Sequence, residues 1–119
     1  MWYNMKIIDA TNLDYKAVNE ELRKTNSDCT IEGCCGQRFI AAGMSGKNIT
    51  IHGVPGNALG AYLNNANITV NSNAQDAIGD TMNEGKILIH GNICLLYTSC
   101  NVLFSITQSG FTLQKREIF

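Results

Sequence analysis

Aliphatic residues recur at fixed offsets from a series of glycines, and this recurrence limits the possible folds more than any other feature of the chain. Aligned on Gly33, Gly53, Ser72 and Gly91, the spacings are 20, 19 and 19 residues. Two residues before each anchor stand Ile31, Ile51, Val70 and Ile89, and two further back from the last three stand Ile49, Ile68 and Ile87. Phe39, Leu59 and Ile78 follow six residues after the first three anchors, and then Met44, Leu63 and Met82, with one extra residue in the first block placed near Gly43. Ten of the eleven glycines lie between Gly33 and Gly91, against a single proline in the whole chain. Short Ile/Val strands between regularly placed glycines mark a repeat whose units cannot bury their apolar face alone and must stack.

A unit of about 19 residues with short Ile/Val strands and glycine between them predicts an all-β fold, a right-handed single-stranded parallel β-helix. Glycine is expected at the corners, where the chain reverses and positive φ carries little cost. Gly36 shares a column with Gly56, and Gly60 shares one with Gly79. A sandwich of hairpins would require alternating patterns and Asn-Gly or Asp-Gly turns, which are missing from the repeat.

Three segments follow from this pattern. Residues 1–28 read as a short N-terminal strand, Met5 to Ile8, and a capping helix from Asn12 to Lys24. Tyr15, Val18 and Leu22 form the helix's apolar face, Thr11 and Asp14 its capping box, and Glu20–Lys24 an ion pair along its surface. Residues 29–93 are the glycine-repeat β-helix coils. Residues 94–119 hold one glycine and no repeat. They read as an atypical, non-native or truncated tail, in which Leu95-Leu96-Tyr97-Thr98-Ser99 resembles translated adapter sequence and Val102 to Ile106 adds one strand to the open end.

Charge and composition narrow the function. Nine basic against ten acidic side chains give a formal net charge of −1, without the basic stripe of a nucleic-acid protein. No apolar run reaches bilayer length, and Met1 to Lys6 does not resemble a secretory leader. Cys29, Cys34, Cys35, Cys94 and Cys100 are an odd set, consistent with thiols in a reducing cytoplasm.

Few residues offer chemistry. Gly53 to Gly60 is glycine-rich but has neither phosphate-loop spacing nor a following long helix, so corner glycines explain it. His52 and His90 share a column with Asn71 between them. Two strand spacings, roughly 9–10 Å, separate the imidazoles, too far for one metal ion. Cys29, Cys34 and Cys35 lack a paired Cys-x-x-Cys arrangement. Arg38 reads as a surface or end-cap cation, and Asp76, Asp80 and Glu84 as solvating groups. The expected site set is therefore empty: no catalytic, cofactor-binding or metal residue.

The repeat block resembles a known family. Gly33-Cys34-Cys35-Gly36-Gln37-Arg38-Phe39-Ile40, Gly53-Val54-Pro55-Gly56-Asn57-Ala58-Leu59-Gly60-Ala61, Asn73-Ala74-Gln75-Asp76-Ala77-Ile78-Gly79 and Met82 to Asn92 occur in order and in register. They resemble the glycine-repeat (GXGXG) β-helix domain at the C-terminal end of the glutamate synthase large subunit, in its stand-alone form. The resemblance covers residues 5–93. It implies a non-catalytic structural subunit or domain of a glutamine:2-oxoglutarate amidotransferase system in glutamate biosynthesis, part of a cytoplasmic oxidoreductase complex. Flavin and an iron–sulfur cluster are then expected on partner domains, and glutaminase and synthase domains are the expected partners, with self-association through the open β-helix end. Neither nucleic acid nor membrane is expected as a partner. Two alternatives remain open: an accessory β-helix subunit like the glycine-repeat one of formylmethanofuran dehydrogenase, and an independent metal-dependent enzyme using His52 or His90.

Overall fold

Alternation along each strand decides which side chains face inward. In β3, Asn48–Val54, Ile49 and Ile51 are buried while His52 between Ile51 and Gly53 is exposed. The computed structural model of the protein describes residues 6–25, 28–74, 78, 82, 84–91, 102–107 and 110–115. Its other elements are β1 (Lys6–Asp9), α1 (Tyr15–Arg23), β2 (Cys29–Cys35), β4 (Asn64–Val70), β5 (Glu84–Ile89), β6 (Val102–Thr107) and β7 (Gly110–Lys115).

The strands form one sheet in the order β1-β2-β3-β4-β5-β7-β6. The first five are parallel, and their register follows the sequence columns: Cys29, Ile49, Ile68 and Ile87 pair across one row, and Ile31, Ile51, Val70 and Ile89 across the next. None of these eight side chains is more than 1% exposed. Burying each aliphatic one contributes about 1.5–3 kcal/mol. The rows pack against Ile40, Met44, Leu59, Leu63, Ile78 and Met82 from the segments that return the chain to the next strand.

Those return segments overturn the expected fold class. Phe39 to Met44 and Ala58 to Leu63 each fold as two successive turns, closed by Ala42 N–H to Phe39 O, Met44 N–H to Ala41 O, Ala61 N–H to Ala58 O and Leu63 N–H to Gly60 O. The third residue of each turn is left-handed: Ala41 (φ 62°), Gly43 (71°), Gly60 (67°) and Tyr62 (58°). This is type II turn geometry, and a chain with a left-handed residue at every second position cannot continue as a strand. Each repeat therefore supplies one strand. The expected all-β, right-handed, single-stranded parallel β-helix is corrected to an open mixed sheet with one helix, an α/β-like arrangement. β1 and β6 are its free edges. The outer side of β5, expected to be open, is paired with β7, and β6 pairs with β7 instead of with the repeat.

The extra residue of the first repeat also lies elsewhere than expected. Between β2 and β3 the register runs from Glu32 opposite His52 directly to Cys34 opposite Gly53. Gly33, at φ 76°, is thus the surplus residue of a bulge. Offsets between Gly33 and Gly43 therefore move by one: Gly36 falls in line with Pro55 instead of Gly56, and Ile40 takes the buried place expected of Phe39, which is 39% exposed. Not all glycines are left-handed corners either. Gly56 has no positive φ; it is required because a Cβ there would overlap the Gly36 carbonyl oxygen.

The helix starts later than expected. Asn12 is left-handed at φ 66°, and Asp14, not Thr11, caps α1 by accepting from Ala17 N–H at 2.8 Å. The expected Glu20–Lys24 pair is replaced by Glu21, which takes Lys6 at 2.8 Å and Lys24 at 3.3 Å. Val18, Asn19 and Leu22 are buried. The Asn19 carboxamide donates to Phe39 O at 2.8 Å and accepts from Ala41 N–H at 2.7 Å, as a neighbouring backbone would. On the other side of the same segment the partners are backbone groups, with Phe39 N–H donating to Asn57 O and Gly60 N–H to Ile40 O. Asn19 therefore finishes the first turn segment where no preceding repeat exists. Replacing it with leucine leaves the buried Ala41 N–H unpaired and Phe39 O with only its bond from Ala42 N–H. Urea unfolding of Asn19→Leu is expected to show a loss of about 1–3 kcal/mol.

Candidate functional site

Polar side chains lie at the helix end of the stack and on the outer face of the sheet. At the helix end, Gln37 accepts from Cys35 N–H at 2.7 Å and donates to Ala10 O and Leu13 O, each at 3.0 Å. Lys47 donates to Leu22 O at 2.6 Å and Thr25 O at 2.8 Å, placing a cation against the carbonyl end of α1. Arg23, Met44 and Lys47 line an open cleft of about 420 Å³ beside it. The sequence reading missed Asn19, Gln37 and Lys47, because each acts through backbone groups more than twenty residues away or, for Asn19, on a helix face read as apolar.

On the outer face, the register brings together His52, Asn71 and His90, as their shared column predicted: Asn71 N–H donates to Ile51 O and His90 N–H to Val70 O. Glu32 pairs opposite His52 and Asp9 opposite Glu32, extending the row in two carboxylates. All five side chains are exposed. Glu32 was readable from its position one residue before Gly33, matching His52 before Gly53. Thr11, through its side chain and its backbone N–H, holds the Asp9 carboxyl below its ordinary range. At the opposite, starting ends of the same strands Asn67 donates to Asn48 at 3.0 Å, and Asn48 N–H donates to Asp28 at 3.1 Å. Among the described residues, no group of three or more His, Cys, Asp or Glu side chains is arranged to hold a metal ion. Asp76, Asp80, Cys94, Cys100 and Gly79 lie outside the described residues; Glu84 opens β5.

The cysteines separate by environment. Cys29 and Cys34 are buried and Cys35 is exposed, none of them in a disulfide. Burial, with a smaller effect from Cys35, pushes the Cys34 thiol up to about 11. Burial also raises Cys29. Thiols protonated this firmly are poor nucleophiles near neutral pH. Arg38 is exposed, its guanidinium 5.8 Å from the Phe39 ring centre, and Phe39 stacks at a tilt on Tyr15, 5.6 Å away.

Single-strand repeats joined by stacked glycine-bearing turns and finished by a short helix define a glycine-repeat domain. The chain belongs to the GXGXG motif family, which matches residues 4–102, the family of the glutamate synthase C-terminal domain. It is similar to an uncharacterized protein of Methanocaldococcus jannaschii, 38% identical across a 66-residue alignment. That alignment covers 49% of this chain and 25% of the relative, so the chain spans about a quarter of that protein. No solved structure matches. Among the described residues, no helix is long and apolar enough to cross a membrane.

The raised Cys34 thiol sets an alkaline limit. The unfolded chain loses this proton near the ordinary value of 9.0 while the folded chain keeps it to about 11. Its contribution to stability is complete below pH 9.0 and is lost as pH rises toward about 11. Unfolding curves across that window should fall for the wild-type chain and fall less for Cys34→Ala. Alkylation at pH 7.5, mapped by mass spectrometry, should modify Cys35 well before Cys29 or Cys34.

Proposed function

We propose that this chain serves as a non-catalytic structural domain or subunit of a glutamate-synthase-type amidotransferase, holding glutaminase and synthase domains in place. The observation that carries the reading is the family match over residues 4–102. The interior agrees with a bracing role: its paired rows are aliphatic, and the histidines and carboxylates with chemical potential stand on open surface. On this reading flavin and the iron–sulfur cluster reside on the partner domains, and the assembly works in the cytoplasm. Association with those domains is the deciding property. Co-expression with the glutaminase and synthase polypeptides of the same genome, followed by size-exclusion chromatography, should yield a stable complex. Failure to co-elute with either, or co-elution with pterin-containing dehydrogenase subunits instead, would overturn the proposal.

A further inference from the structure

Three left-handed residues of the two turn segments Phe39 to Met44 and Ala58 to Leu63 are exposed, Phe39 and Gly43 in the first and Tyr62 in the second, and two of them are aromatic. Phe39 opens its segment at the place where the next repeat has the buried Ala58, and Tyr62 lies opposite Gly43. Gly43, at φ 71°, shows which residue fills that position without strain. Tyr62 adopts φ 58° and is still 64% exposed, so burial in the fold does not offset its conformational cost. Phe39 sits at φ 59° and is 39% exposed. Only one other large apolar side chain among the described residues is comparably exposed, Ile7 on the edge strand β1. Strained backbone carrying an exposed aromatic is a pattern of functional surfaces, and rigid aromatics are the usual anchors of protein interfaces.

The charges beside Phe39 and its neighbour Tyr15 indicate the character of the partner. Arg38 lies over Phe39, and the Lys16 ammonium stands 5.9 Å from the Tyr15 ring centre. Among the described residues neither cation forms an ion pair; the salt bridges there are Lys6–Glu21 and Lys24–Glu21. Two unpaired cations around an aromatic pair suit a surface with carboxylates around an apolar pocket.

We infer that the turn-segment face bearing Phe39 and Tyr62, flanked by Lys16 and Arg38, is the surface that docks onto the synthase domain, through an acidic-rimmed apolar pocket on that partner. The inference rests on the scaffold function proposed above and names the surface it uses. Tyr62 anchors the contact, Phe39 and Tyr15 extend it, and the cations govern its rate of formation and salt dependence.

The test measures binding of the full chain to a purified glutamate synthase synthase domain by calorimetry, beside thermal unfolding of each variant. Tyr62→Gly removes the ring and relieves the left-handed strain. It should unfold at an equal or higher temperature than the wild type while binding about tenfold or more weakly. Arg38→Glu should also weaken binding and reduce its salt dependence. Tyr62→Gly binding within twofold of the wild type overturns the surface while leaving the scaffold reading intact. Absence of wild-type binding overturns both.

Discussion

Backbone hydrogen bonding between successive repeats is the constraint on which the rest of the structure depends. It runs along the strands, where Ile49, Ile68 and Ile87 pair in register, and continues through the returns, where Gly43 N–H reaches Ala61 O and Asn64 N–H reaches Met44 O. Each repeat satisfies polar groups that its neighbour would otherwise leave buried and unpaired, so no repeat is stable alone. This dependence requires an answer at the first repeat, where nothing precedes the turn segment. Asn19 supplies it with a side-chain amide that copies a peptide group. Lys47 and Gln37 fasten the helical segment that carries Asn19, by binding its terminal carbonyls and those just before it. The Lys6–Glu21 pair, about one-third exposed on both sides, contributes much less, because solvent screens it.

Close stacking brings a second constraint, because backbones in contact leave no room for side chains. Gly56 lies against the Gly36 carbonyl, and Gly85 against that of Ala66. Gly60 faces Ile87 and Ile68, the nearest methyl only 2.7 Å from where a Cβ would be. The turns also demand left-handed conformations, which Ala41, Ala58, Phe39 and Tyr62 accept at about 1–2 kcal/mol each. Ala41 is fully buried and Ala58 nearly so, and packing offsets the strain there. Tyr62 has no such return within the fold, and association is where its ring acts.

The strand rows were legible in the sequence because a parallel stack repeats its chemistry at one fixed spacing. Ile31, Ile51, Val70 and Ile89 could be paired by counting. The return segments were not legible, since type II turns place left-handed residues at Ala41 and Tyr62, where the side chain gives no signal of positive φ. That hidden geometry is why a coiled β-helix was expected and an open sheet is observed. The bulge at Gly33 was concealed in the single spacing of 20, which was assigned to the turn near Gly43. Of the polar surface, the His52–Asn71–His90 column was readable and its Glu32 extension could have been. Asn19, Gln37 and Lys47 were not, because their partners are backbone groups distant in sequence.

Repeats stack by direct backbone contact in the return segments as well as in the strands. Two glycines of adjacent repeats separate such stacking from mere turn preference. Gly36 has φ 80° and open space where a Cβ would go, whereas Gly56 has no positive φ and lies against Gly36 backbone. Urea unfolding of Gly36→Ala and Gly56→Ala compares them directly. Stacking predicts a loss of about 1–2 kcal/mol at Gly36 and a larger one, about 3 kcal/mol or more, at Gly56. Equal losses, or a greater loss at Gly36, would contradict the account.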